Sequence, residues 1–151
     1  MTQYADILVY NRNRQPVVII EAKSKFNTTK EWAGQMRRNM LAHNLLPSAP
    51  YFILALPDVF YFWEVKSFSF DTVNPTLQID PKPFLEPLAN IINVSLDRIS
   101  GQRFELIIAT WLNNVLASTE EDLLRNNQTW IVETGLFEKI AGGFIKVAEA
   151  A

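Results

Sequence analysis

Two short apolar runs open the chain, ADILVY over residues 5–10 and PVVIIEAK over residues 16–23, separated by the polar segment NRNRQ. Their β-branched content predicts strands, and the Asn-containing spacer predicts a hairpin that makes them antiparallel neighbours. With the turn centred between Asn13 and Arg14, Asp6 faces Glu21, Leu8 faces Ile19 and Tyr10 faces Val17 on one side of the sheet, and Lys23 joins that side two residues on. Ile7, Val9, Val18, Ile20 and Ala22 share the opposite face, an apolar set that requires a covering layer. A register slip of one residue would separate the two acids.

The pattern then changes period. Thr28 stands three residues before Glu31, a capping arrangement that opens a helix over 29–46, with Trp32, Met36, Met40 and His43 on one stripe and Gln35 and Asn39 bordering it. Pro47 and Pro50 end it, and the continuous apolar run YFILAL (51–56) suits an interior strand reached by a helical crossover, hence parallel to its predecessor. VFYFWEV (59–65) is a further strand, whose aromatics Phe60, Tyr61, Phe62 and Trp63 suit a core better than base stacking. Prolines 75, 81, 83 and 87 break up residues 67–103, leaving a short edge strand at TLQI (76–79) and a short helix around LEPLANII (85–92). Phe104, Ile107, Ile108, Trp111, Leu112 and Val115 form a helical stripe. Thr119 with Glu120, Glu121 and Asp122 opens another short helix, Trp130 falls between helices, and LFEKIAGGFIKVAEA (136–150) is expected as a last helix weakened by Gly142 and Gly143. The predicted fold class is α/β with a mixed sheet: an αβ core over residues 1–99 and a helical C-terminal extension over 100–151 packed on it.

Composition narrows the function. A chain of 151 residues with 48% hydrophobic content suits one compact domain. No apolar run is long enough to span a membrane and no signal peptide opens the sequence, so the expectation is a soluble, cytoplasmic protein with no membrane partner. The absence of cysteine excludes disulfides, thiolate zinc sites and cysteine nucleophiles, and a single histidine, His43, excludes a histidine-rich metal centre. Asn27, Asn93 and Asn127 begin Asn-x-Ser/Thr triplets, which carry little meaning without an export signal. A net charge of −2 argues against a general DNA-coating protein. Residues 21–40 nevertheless hold Lys23, Lys25, Lys30, Arg37 and Arg38 against Glu21 and Glu31, five cations to two anions and net +3. Lys25, Lys30, Arg37 and Arg38 are therefore candidate phosphate contacts, although a solvated helix face accounts for the last three equally well.

The acids carry the chemistry. Two carboxylates about 5 Å apart repel by roughly 3 kcal/mol at an effective dielectric near 20, so the pair needs a cation or a proton. Asp6, Glu21 and the backbone carbonyl of Ala22, completed by water, form the hard oxygen set that suits Mg²⁺, with Mn²⁺ as a substitute. The plain alternative is an exposed Glu21–Lys23 pair with Asp6 merely opening its strand.

The arrangement of Asp6, a hairpin, then Glu21-Ala22-Lys23 resembles the PD-(D/E)XK nuclease superfamily, whose fold is called restriction-endonuclease-like. Residues 3–66, with the helix carrying Gln35 and the strands YFILAL and VFYFWEV, are similar to the N-terminal nuclease domain of type I restriction enzyme motor subunits. The resemblance implies Asp6 and Glu21 as metal ligands, Lys23 as the catalytic lysine assisting phosphodiester hydrolysis, and Gln35 as a supporting group. The chain starts five residues before Asp6, short of the helix and strand that come first in such relatives, so the expectation is a fragment, a domain that has lost those elements, or a fold completed by another chain, as in a homodimer. The function expected is a Mg²⁺-dependent endonuclease acting on DNA in restriction, defence or repair. The alternative is an inactive nuclease-fold module that binds nucleic acid or protein.

Overall fold

The computed structural model describes residues 5–43, 46–65 and 73–148. A hairpin joins β1 (Ile7–Tyr10) to β2 (Pro16–Ala22). Asn11 holds its loop: the side-chain Oδ1 accepts from the main-chain N–H groups of Asn13 and Gln15, and Arg14 takes a left-handed conformation at φ 62°. Leu8 stands opposite Ile19 as expected, but Tyr10 pairs with Pro16 and not Val17. A bulge after Val9 is the cause, and the extra residue, Val17, joins the same buried cluster as Val18.

The helix α1 (Lys30–His43) then crosses to β3 (Tyr51–Ala55), which runs parallel to β2 with Glu21 opposite Leu54. β4 (Phe60–Glu64) and the three-residue β5 (Leu77–Ile79) follow antiparallel. Next come α2 (Lys82–Ile91), a 3₁₀ turn at Leu96–Arg98, α3 (Gly101–Ala117), α4 (Glu120–Arg125), α5 (Thr129–Glu133), α6 (Leu136–Ile140) and β6 (Phe144–Val147). The six strands form one mixed sheet in the order β5-β4-β3-β2-β1-β6, so the α/β class predicted from the sequence is the class observed.

Both faces of the sheet are covered, which is why β2 and β3 are buried along nearly their whole length. Leu8, Ile19, Phe52, Leu54, Tyr61 and Trp63 face α1. Ile7, Val9, Ile20, Ile53, Phe60 and Phe62 face the helices that follow β5, so the C-terminal helices are the second layer of the core and not an accessory to it. The four aromatics of β4 are buried in turn on alternate faces, as their core reading anticipates. Among the described residues no helix is long and apolar enough to cross a membrane.

Three expectations need correction. The buried line of α1 runs through Ala33, Gly34, Arg37 and Met40, while Trp32 and Met36 lie at its margin and His43 is exposed. Small residues at 33 and 34 leave room for the helix to sit close to the sheet, and this rotates the stripe away from the bulky side chains. Trp130 belongs to α5, where its ring stacks on Trp111 at 6.0 Å. The expected last helix over 136–150 ends at Ile140, and residues 144–147 form β6 instead, antiparallel to β1. Gly142, at φ +76°, turns the chain, and Gly143 passes so close to β1 that a Cβ there would lie 1.8 Å from the Tyr10 carbonyl oxygen.

Candidate functional site

Asp6 lies one residue before β1 and Glu21 one residue before the end of β2. The pairing of Ile7 with Ile20 continues to place them opposite each other. Each is tied to the other strand: the Asp6 main-chain N–H donates to Glu21 Oε2 at 3.3 Å, and the Ala22 N–H donates to Asp6 Oδ2 at 2.9 Å. Lys23 Nζ sits 3.7 Å from Glu21 Oε1, its side chain 38% exposed against 12% for Glu21. Burial, and then the negative charge of Asp6, push the Glu21 carboxyl up to about 7, an effect that the Asp6 N–H and Lys23 only partly offset. At neutral pH the Glu21 carboxyl is therefore close to half protonated.

The location follows from topology. β2 and β3 are parallel, and the pair stands at their carboxyl ends, where crossover loops leave sheet positions open to a ligand. The loop leaving β2 is anchored on several sides. The Lys23 N–H donates to the Ala55 carbonyl, Ser24 Oγ to the Ile99 carbonyl, and the Asn27 N–H to Asp58 Oδ2 at 3.1 Å. Thr28 Oγ1 and the Tyr61 hydroxyl share a further hydrogen bond of 2.8 Å. Asn27 takes a left-handed conformation at φ 56°, which explains an asparagine there without any glycan.

Of the predicted site residues, Asp6, Glu21, Ala22 and Lys23 come together at this sheet end. Gln35 is exposed on α1, on the side away from Ala33, and no hydrogen bond joins it to the pair among the described residues. Lys25, Lys30 and Arg38 are exposed, with Lys25 Nζ resting over the Trp32 ring at 5.1 Å. Arg37 does not belong to that surface. It is only 6% exposed, its guanidinium over the rings of Phe52 (5.7 Å) and Trp63 (5.5 Å), and its Nε has no hydrogen-bond partner among the described residues. The local positive patch is correspondingly smaller than the sequence suggested.

One acid went unassigned in the sequence. Glu105, half-buried on α3, has its carboxyl raised by burial and then by the charge of Asp6, so it lies within electrostatic reach of the pair. Nothing in the FELII run distinguishes it from an ordinary helix-surface glutamate. At the same sheet end, beyond the β3–β4 turn, a cavity of about 670 Å³ is bordered by Asp58, Asp80, Lys82, Glu86 and Asp97. Four acids against one lysine make it a poor seat for a phosphate, and an anionic polymer would approach from the Lys23–Lys30 side.

The donor set suits a hard divalent cation. Two facing carboxyls, Glu21 buried and Asp6 half-buried, beside one ammonium leave a charge that a second cation would neutralise, and their oxygens are the ligands Mg²⁺ takes. No group of three or more acid or histidine side chains placed for a metal occurs among the described residues, so such an ion would rest on Asp6, Glu21, the Ala22 carbonyl and water. Mg²⁺ commonly keeps several waters in this way. Compared with protein-family models, with curated proteins and with solved structures, the chain matches none. What fold and site define is a mixed α/β sheet protein with a lysine-flanked carboxyl pair at the carboxyl ends of its parallel strands.

Proposed function

We propose that the Asp6–Glu21–Lys23 cluster is a Mg²⁺-dependent site for hydrolysis of DNA phosphodiester bonds, with Mn²⁺ able to substitute. One observation carries the reading: two carboxyls facing each other across the hairpin, Glu21 buried and Asp6 half-buried, with an ammonium 3.7 Å from a Glu21 oxygen. When bound, Mg²⁺ supplies charge neutralisation and polarises a phosphoryl oxygen and a water. Asp6 and Glu21 would hold the ion through carboxylate oxygens and Ala22 through its carbonyl. Lys23, half-exposed, faces the substrate side and orients the attacking water while offsetting charge that builds on the phosphate. Water adds to phosphorus and releases a proton to solvent as the bond to the departing sugar oxygen breaks, and that oxygen leaves as a hydroxyl after taking a proton from solvent. Lys25, Lys30 and Arg38 are the exposed cations that would meet neighbouring phosphates.

The test is cleavage of supercoiled and single-stranded DNA with and without Mg²⁺. Wild type should cut only with the metal, and Asp6→Ala and Lys23→Ala should each lose about 100-fold or more, as groups acting on charge in the transition state do. Equal inactivity of all three proteins would leave the fold as a binding module.

A further inference from the structure

No residue of β6 takes part in the proposed hydrolysis, yet the chain leaving that strand reaches the acid pair. Its register with β1 runs from Tyr10 opposite Phe144 to Ile7 opposite Val147, and one residue further the Ala148 N–H donates to the Asp6 carbonyl at 2.8 Å. The main chain of Asp6 is thus held by one hydrogen bond toward β2, through its N–H to Glu21, and by one toward the C-terminal strand, through its C=O. Gly143 and Phe144 both favour close approach to β1. Gly143 has no Cβ where one would strike the Tyr10 carbonyl, and the Phe144 ring stacks on Tyr10 at 5.0 Å and 8°, with the Arg14 guanidinium 5.9 Å from the Phe144 ring centroid.

We infer that the C-terminal strand is a positioning element for the metal site, with the Ala148 N–H fixing the backbone from which the Asp6 carboxylate is aimed. This rests on the proposed Mg²⁺ site and adds that its geometry is set in part by residues 143–148. A carboxylate ligand keeps its direction only while its backbone is over-determined, and groups that orient ligands typically contribute roughly 10- to 100-fold in metal affinity. Ala148 touches neither metal nor substrate, so it is a positioning residue and not a catalytic one.

The discriminating variants are Ala148→Pro, which deletes this one N–H, and Ala148→Gly, which keeps it. Val147 is extended, the conformation that a following proline favours, and Ala148 lies outside the four paired residues of β6, so the proline removes the bond without opposing the strand. Mn²⁺ binding to the full chain is followed by electron paramagnetic resonance, with thermal melting as the control for folding. Ala148→Pro should bind Mn²⁺ about tenfold more weakly and lower kcat while leaving KM for DNA unchanged, and Ala148→Gly should behave as wild type. A measurement on wild type alone guards against misfolding of the variant: because coupling is reciprocal, saturating Mg²⁺ should slow hydrogen exchange at the Ala148 amide. Wild-type Mn²⁺ affinity in Ala148→Pro, or an exchange rate indifferent to Mg²⁺, overturns the positioning role and leaves the proposed reaction standing. If wild type binds no Mn²⁺ at all, both fall together.

Discussion

Glu21 carries its charge, when it carries one, inside the covered end of a sheet beside a second acid. Its folded-state value near 7 exceeds the ordinary 4.5, so between those values the folded chain holds a proton that the unfolded chain has released. Folding stability from this group is therefore complete below about pH 4.5, falls as pH rises toward 7 and stays lost above it, by an amount on the order of 3 kcal/mol. Glu21→Gln, which keeps the shape without the charge, should melt above wild type at pH 8, with the gap closing toward pH 4 in a series of thermal scans. Added Mg²⁺ should raise the wild-type midpoint at pH 8 and leave the variant unmoved. The pair itself was legible in the sequence, because a period-two pattern on both sides of a short turn fixes which residues oppose. Arg37 was not: a cation in a basic run reads as surface, and only the placement of Phe52 and Trp63 beneath it shows an arginine stacked on rings and desolvated enough to lower its own pKa.

At the scale of elements, helix ends explain residues that sequence motifs alone leave ambiguous. Asn93 follows α2 at φ 57°, with its N–H donating to the Asn90 carbonyl and the Val94 N–H to Ala89, the paired bonds of a left-handed helix terminus. Asn127 closes α4 in the same way at φ 62°, the Gln128 N–H donating to Leu123. Both asparagines begin Asn-x-Ser/Thr triplets, and backbone conformation accounts for them. Asn93→Ala should cost about 1 kcal/mol in urea denaturation while Asn93→Gly changes stability by only a few tenths, since glycine adopts this conformation freely. The strands β1 to β4 and the stripe of α3 were readable because their periodicity is local. β6 was not, because Phe144–Val147 becomes a strand only through its partner at the other end of the chain. Glu105 escaped for the same reason: its relation to Asp6 exists only once α3 lies across the sheet.

The molecule as a whole is one sheet between unequal layers, a single helix on one face and the helices after β5 on the other. The second layer is bound to the sheet by an aromatic cluster in which Trp111 meets Phe60, Phe84 and Trp130 at 5.2 to 6.0 Å. Closure on the β1 side depends on a single small residue. Gly143→Val would drive a branched side chain into the Tyr10 carbonyl and should destabilise the fold by more than about 2 kcal/mol, read as a shift of the urea midpoint with a reduced slope if β6 detaches.

That β1 and β6 are neighbours has a consequence during synthesis. As the polypeptide emerges from the ribosome, the hairpin and the crossover to β3 can form early, but the outer edge of β1 stays bare until the last strand clears the exit tunnel. Through that interval the nascent chain exposes a ready template for mispairing, and the acid pair beside it is finished only when translation of this segment is.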